Sequence, residues 1–549
     1  MADEKAKQTV KNYKQVKGQR ANFESYWQDL HDYFYIESPD ANRSYADGSE
    51  MNTNVLYDST TLEAPDILAS GFMNYLTPPN AKWFRLRSKD PRLVDNKEVT
   101  DFLDSVADEV YYTLGKSNFY EASFPNYKSS GVYGTSILME EDDVEDVARF
   151  YSLPLTQCCI VEDARGRVSE YFIEFEYTSY QAASRWGEEA LTEVQRQEIH
   201  GHDQNKKHKF LLHIYKREVR DVTSKSKENM PIAAVWIDVE NEKIMEEGGY
   251  HEWPCFTHRF DKRPFIPWGF SPAMKALPFA RLLNAIAKTN LRAMMKQTDP
   301  PVALPHNAFI MPFNSNPRAL NYYKKTSMDG AKDIFAFANF GDPKTGMAAV
   351  EYYTRQVKSL MYNDIFLTFE NITKQMQNPE VQERINEKMA MLGPAVGRYM
   401  GAVLNPVITR TIGILVRANK LPETPEALRN SPTFEIDYVS QLAQAQKRSE
   451  LASLLSGLEL VGNMAQGDPS VMDKINPDTV IDEAWDILGA PVKVLRDDAE
   501  VQEMREKKAQ MAQQEQQLMM AQAMAKTGKD MGQGEKAFAE AQDPTRGKK

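Results

Sequence analysis

Apolar side chains recur along residues 378–421 more regularly than anywhere else in the chain: Val381, Ile385, Met389, Leu392, Val396, Met400, Val403, Val407 and Leu415. Most steps are three or four residues, the spacing that lines one face of a helix. Asn378 is placed to cap the first turn, and Pro379 suits the first helical position, where no backbone donor is needed. Pro394 and Pro406 fall inside the pattern, so a kink or restart is expected near each. Unbroken, a helix of roughly 40 residues would span about 60 Å. That is long for a globular core and suggests a scaffold shared by several layers or subunits.

Residues 1–36 read as a polar helix with the stripe Phe23, Trp27, Leu30, Tyr33 and Phe34. A loop at 37–53 precedes a helix from Asp58 to Leu76, which Pro78 and Pro79 end. Trp83 to Arg87 alternates like a strand, Lys97 to Leu114 is helical, and Ser117 to Tyr120 opens a helix running to about Gly131. Residues 132–250 are short, alternating and rich in aromatic and β-branched side chains, as antiparallel strands are. Asp163 to Gly166 is placed as a hairpin turn, and one helix, about 178–199, interrupts the strands. Ser271 and Pro272 cap a long helix over 273–297, whose apolar face is Leu277, Ala280, Leu283, Ala287, Leu291 and Met294. A second long helix over 347–370 carries Val350, Tyr353, Val357, Leu360 and Leu367. The segment between them is too long for a plain connection and calls for structure or function of its own. Asn371 to Gln377 is a short polar link, 422–432 a linker, and Tyr438 to Asp497 three or four shorter helices. A polar helix from Glu500 frays into a tail by about residue 527.

With 549 residues, 42% of them apolar, the chain has material for a sizeable core. Its 66 basic and 78 acidic residues leave a net charge of -12, the wrong sign for a protein that simply grips nucleic acid. Cys158, Cys159 and Cys255 are odd in number, and two are adjacent, which points to a reduced, intracellular protein without a disulfide framework. The N-terminus has no apolar core of a signal peptide. Arg398, Arg410 and Arg417 interrupt the most membrane-like stretch, so no spanning helix and no membrane partner are expected.

Catalytic signatures are missing: the chain has no phosphate loop, no Gly-x-Ser-x-Gly elbow and no Cys-x-x-Cys pair. No catalytic residue, resident metal or cofactor is therefore expected. Of His200, His202, His208 and His213, the first three fall in a turn rich in Gly, Asp, Asn and Lys, and the group reads as a solvated loop, with a metal site as the alternative. Glu140, Glu141, Asp142, Asp143, Glu145 and Asp146 read as a solvated acidic face, with a two-metal nuclease cluster as the alternative. Arg281, Lys288, Arg292 and Lys296 form one stripe on the first long helix, either a solvated flank or a face toward DNA or a shell protein. Phe309, Met311, Phe313, Tyr322 and Tyr323 in the segment between the long helices suit a partner surface or a satellite core.

Several blocks, in order along the chain, resemble the portal proteins (head-to-tail connectors) of short-tailed, double-stranded-DNA phages. They are DSTTLEAPDILASGFMNYLTPPNAKWFRLR from Asp58, SNFYEASFPNYKSSGVYGTSILMEED from Ser117 and SPAMKALPFARLLNAIAKTNLRAMMKQTDPPVAL from Ser271. EVQERINEKMAMLGPAVGRYMGAVLNPVITRTIGILVRANKLP from Glu380 and EIDYVSQLAQAQKRSELASLL from Glu435 complete the set. Residues 306–346 and the tail after Glu500 match the family pattern least.

The resemblance implies an α+β, predominantly helical fold that assembles as a ring, usually of twelve subunits, at one capsid vertex. Residues 1–270 would be the wing, 271–298 and 347–370 the two stem helices, and 299–346 the clip. Residues 371–377 would be the channel loop, 378–434 the long kinked helix of wing and crown, 435–499 the helical crown, and 500–549 a polar helix and tail. Asn371, Ile372, Thr373, Lys374, Gln375, Met376 and Gln377 would face double-stranded DNA passing without sequence readout. The implied partners are the terminase large subunit, a tail adaptor protein, major capsid and scaffolding proteins, and internal core proteins. The implied location is the virion's portal vertex, after assembly in the host cytoplasm. The alternatives are a metal-dependent, DNA-processing nuclease using the acidic or histidine group, and an internal virion scaffold protein.

Overall fold

The protein is described by a computed structural model over residues 2–38, 56–94, 96–201, 205–221, 226–298, 302–303, 335–336, 343–366, 392–429 and 434–439, with short stretches between 451 and 511. The chain divides into two units, Met1–Ser449 and Glu450–Lys549. In the second unit the described stretches, such as 454–462 and 500–508, are helical.

The first unit opens with helices α1 (Ala2–Phe34) and α2 (Thr60–Leu76), strand β1 (Phe84–Ser88), and helices α3 (Lys97–Lys116) and α4 (Phe119–Tyr133). Trp27, Leu30 and Phe34 of the expected α1 stripe are buried. Asn96 caps α3 by accepting from the Glu98 and Val99 N–H groups. Strands follow as the alternation predicts: β2 (Thr135–Asp143), β3 (Val147–Leu153), β4 (Cys158–Glu162), β5 (Val168–Thr178), β6 (Lys207–Lys216) and β7 (Ile232–Asp238). Two more, β8 (Lys243–Tyr250) and β9 (Cys255–Arg259), complete two sheets with orders β3-β2-β9 and β4-β5-β6-β7-β8. The Asp163–Gly166 turn joins β4 to β5, with the Gly166 N–H donating to Asp163 O at 2.9 Å.

Strand β7 is buried at every position because the five-stranded sheet is covered on both faces. Val235 and Ile237 meet Ala6, Val10 and Tyr13 of α1, while Ile232, Ala234 and Trp236 face the main core. The expected helix at 178–199 is instead two, α5 (Ser179–Trp186) and α6 (Glu193–His200). Each has its own capping box, from Thr178 with Gln181 and from Thr192 with Gln195, and Gly187 at φ +83° separates them.

The long helices are α7 (Pro272–Thr298) and α8 (Pro343–Leu360). Ser271 caps α7, its Oγ accepting from the Met274 N–H at 2.9 Å. Helix α8 does not run on to residue 370 as one rod. It breaks at Tyr362, whose φ is +60°, and a short helical stretch, 363–366, buries Ile365 and Phe366. Between α7 and α8, two-residue strands β10 (Val302–Ala303) and β11 (Phe335–Ala336) pair antiparallel.

Helix α9 (Leu392–Arg417) is the described part of the periodic stretch, and 378–391 lie outside the described residues. Pro406 has no N–H for the carbonyl four residues back. The turns before it widen into a π-helix, Met400–Leu404, where the Asn405 N–H reaches Met400 O, and α-helix resumes over Asn405–Arg417. By length and average hydropathy alone α9 is apolar enough to cross a bilayer despite its arginines. Within the protein its apolar face is core: Leu392, Val396, Tyr399, Val403, Val407, Ile414 and Leu415 are buried. A short helix α10 (Glu426–Arg429) and strand β12 (Phe434–Tyr438) follow. Glu435 to Tyr438, expected to begin helical crown structure, pair antiparallel with β1 and take up the backbone groups along its edge.

Candidate functional site

Helices α7 and α8 form an antiparallel arm rooted in the core. Near its base Leu277, Ala280, Leu283 and Val357 are buried. Phe279 and Tyr353 rings lie 6.4 Å apart across the pair. The helices approach so closely at Gly346 that a Cβ there would stand 2.7 Å from Asn290 Oδ1. Farther out the apolar face is uncovered. Leu291 and Met294, the far end of the apolar face of α7, are exposed, as are Met295, Met347 and Tyr352.

The basic stripe on α7 is partly neutralised within the chain. Arg281 pairs with Asp29 at 2.8 Å, and Lys288 Nζ stands 5.1 Å from the Tyr57 ring. Arg292 is exposed, and the Lys296 side chain lies outside the described residues. Phe309, Met311, Phe313, Tyr322 and Tyr323 also lie outside them, as do Asn371, Ile372, Thr373, Lys374, Gln375, Met376 and Gln377. The link's flanks are nonetheless anchored. Before it, Phe366 lies directly on Gly71, with its ring 6.1 Å from Phe72 and 5.9 Å from Tyr75. After it, Tyr399 donates to Asn126 Oδ1 at 3.0 Å.

The acidic run is solvated in its outer part, where Asp142 and Glu145 are exposed, but not at its start. Glu140 is fully buried on β2, with Oε1 accepting from Thr411 Oγ1 at 2.9 Å and Oε2 without a partner. Burial pushes its carboxyl up to about 8, against the opposing pull of Arg410. Arg410, also buried, donates to Glu140 O at 3.2 Å, Glu252 O at 3.0 Å and Asp142 Oδ1 at 2.8 Å. Arg417 adds a bond to Glu252 Oε1 at 2.8 Å. These carboxylates clamp α9 onto the strands. They do not converge on a shared metal position, and among the described residues no His, Cys, Asp and Glu group could hold one. Sequence reasoning missed Arg410. Its signal was present, since Val403, Val407, Arg410 and Ile414 are steps of four, three and four on one buried face.

The histidines also separate. His200 is exposed at the end of α6, and His202 lies outside the described residues. His208, expected in a turn, is buried on β6 between Glu198 (2.6 Å) and Glu240 (3.2 Å). Burial opposes its charge, but these two carboxylates win and raise its pKa. His213 stacks on Phe172 at 4.3 Å and meets Glu170 at 3.1 Å. These contacts hold α6 and the five-stranded sheet together.

The described residues bring together a helical arm with an exposed apolar outer half and a core helix clamped to the strands. Residues 6–495 match the family described as "Bacteriophage head to tail connecting protein", and the chain belongs to that family. The portal protein of Salmonella phage epsilon15 is 29% identical over 543 residues, covering 97% of this chain and 96% of the relative. The probable portal protein of Bordetella phage BPP-1 is 28% identical over 529 residues, 94% of each. A solved chain from the neck of an empty GTA particle covers 79% of this chain and 90% of its own, at 12% identity and a TM-score of 0.36, too low a likeness to carry an argument. The protein is thus a phage portal, or head-to-tail connector, a virion component with a structural role and not an enzyme.

Proposed function

We propose that copies of this chain form a ring at one capsid vertex, through which double-stranded DNA enters and leaves the head. The observation that carries this reading is the arm of α7 and α8, buried at its base and apolar but uncovered along its outer half. Leu291, Met295 and Met347 are exposed on that outer half, and neighbouring arms in a ring would cover them. In this reading α7 and α8 are the stem, residues 299–346 the clip that meets the terminase and then the tail adaptor, and 371–377 the loop toward DNA. Phe309, Met311, Phe313, Tyr322 and Tyr323 are the clip's partner surface. Arg281, with its Asp29 partner, and Lys288, over Tyr57, are less available to DNA than Arg292.

The net charge of -12 per chain keeps DNA from adhering to the channel wall, which suits transport better than binding. The test is negative-stain microscopy of the purified full chain. Rings with a central hole are expected, and a folded protein that stays monomeric at high concentration would sink the reading. Deleting Asn371–Gln377 should leave rings intact but impair DNA packaging or retention, and normal DNA-filled heads would remove that role from the loop.

A further inference from the structure

Strand β2 has two unlike ends. Its first residue, Thr135, sits opposite Arg259 of β9, and its last, Asp143, opposite Val147 of β3. Eight steps at roughly 3.4 Å put these ends about 27 Å apart. At the Asp143 end, the turn into β3 leaves Val144 entirely uncovered, with a relative exposure of 103%. Asp143, Glu145 and Asp146 surround it, against Lys116, which pairs with Asp146 at 3.4 Å, and Arg149, which stands opposite Glu141 on β3, so acids outnumber bases here.

At the Thr135 end, the loop 261–268 leaves Phe265 equally bare, at 101%. Around it Arg263, Arg165 and Arg167 are exposed. The turn bearing Arg165 and Arg167 is held to the Phe265 loop through Gly166 O, which accepts from Arg259 Nη2 at 3.3 Å and from Lys262 Nζ. Of the acids nearby, Glu162 is engaged by Arg259 and Lys262, Asp163 by the N–H groups of Arg165 and Arg167, and Asp261, at the start of the loop, faces Arg398 at 4.0 Å. This end carries a basic excess around its bare apolar side chain.

One exposed apolar residue is ordinary. Here two occur at opposite ends of one strand, ringed by opposite charge. Each loop also holds a bulky residue in the left-handed region, Phe265 at φ +63° and Val147 at +73°. Such a backbone is costly for these side chains and persists where the surroundings demand it.

We propose that the Val144 turn of one copy docks against the Phe265 loop of the next. The occupant is a second copy because two complementary patches on opposite ends of one subunit make a heterologous, head-to-tail contact, the kind that repeats around a closed ring. Opposite charges set its register and Val144 with Phe265 fill its dry centre. The inference rests on the ring reading and adds the surface through which neighbouring wings touch.

Cysteine pairs test it, because Cys158, Cys159 and Cys255 are all buried. A mixture of Val144→Cys and Phe265→Cys proteins treated with a short bismaleimide should give covalent dimers, several-fold more than either protein alone. The double variant should give a ladder of multimers. Rings seen by microscopy without this crosslink overturn the contact and leave the ring reading standing, with a different partner on these tips. Equal crosslinking by one single variant alone also overturns it. Folded protein with neither rings nor crosslinks removes the ring reading itself. As a check independent of the cysteines, Glu145→Lys should weaken association several-fold by sedimentation, and adding Arg165→Glu should restore part of it. Weakening without any restoration counts against the contact.

Discussion

Arg410 Nη2 donates to Asp142 Oδ1 at 2.8 Å, and this bond makes the long core helix and the acidic hairpin one mechanical unit. Asp142 belongs to the run that a nuclease would use, and in the folded chain it serves as a counter-ion. The guanidinium also donates to the carbonyls of Glu140 and Glu252, so one side chain ties the helix to three acceptors.

Arg410→Met should therefore be among the most damaging single changes in α9. Asp142 is half exposed and water can take its charge, so the cost falls on the carbonyls of Glu140 and Glu252, which lose their donor at about 1–3 kcal/mol for each that stays buried. A clear fall in the thermal midpoint, with helical content retained just below it, is the expected result. A loss under about 1 kcal/mol would show that the clamp contributes little.

Glu140 should make stability pH-dependent. Its folded pKa is raised to about 8 by burial, so the folded state holds a proton that the unfolded state releases. Stability from this group is present at low pH and declines as pH rises from the ordinary carboxyl range through about 8, by about 1.4 kcal/mol per unit. Glu140→Gln keeps the acceptor for Thr411 and cannot ionise. It should cost about 1 kcal/mol at pH 5, where its amide N–H lacks a partner, draw level with the wild type about one pH unit higher, and be clearly the more stable at pH 8.5. Melts at both pH values decide, and parallel curves would refute the assignment.

Leu291→Asp, on the outer half of the arm, should leave the melting of the single chain within about 0.5 kcal/mol, because the side chain is already exposed. Association measured by sedimentation should fall sharply if neighbouring arms cover that face. Unchanged oligomers would place the subunit contact elsewhere.

The local elements were readable because they depend on spacing within one segment. The alternation of Phe84 and Leu86, the stripe through Trp27, Leu30 and Phe34, and the period of Leu392 to Leu415 each give element and buried face directly. The π-turn before Pro406 was legible in outline, since a missing N–H must disturb the ladder somewhere nearby.

Partnership across the chain was decided only by the tertiary structure. Whether Glu140 to Asp146 is a solvated face depends on Arg410, some 270 residues away, arriving beside it. Whether His208 lies in a turn depends on Glu198 and Glu240 flanking β6. Leu291 and Met294 continue the stripe of Leu277 and Leu283, yet the arm carries them beyond the core. Period along a helix states which residues share a face, and only the packing of other elements states how far along that face the cover extends.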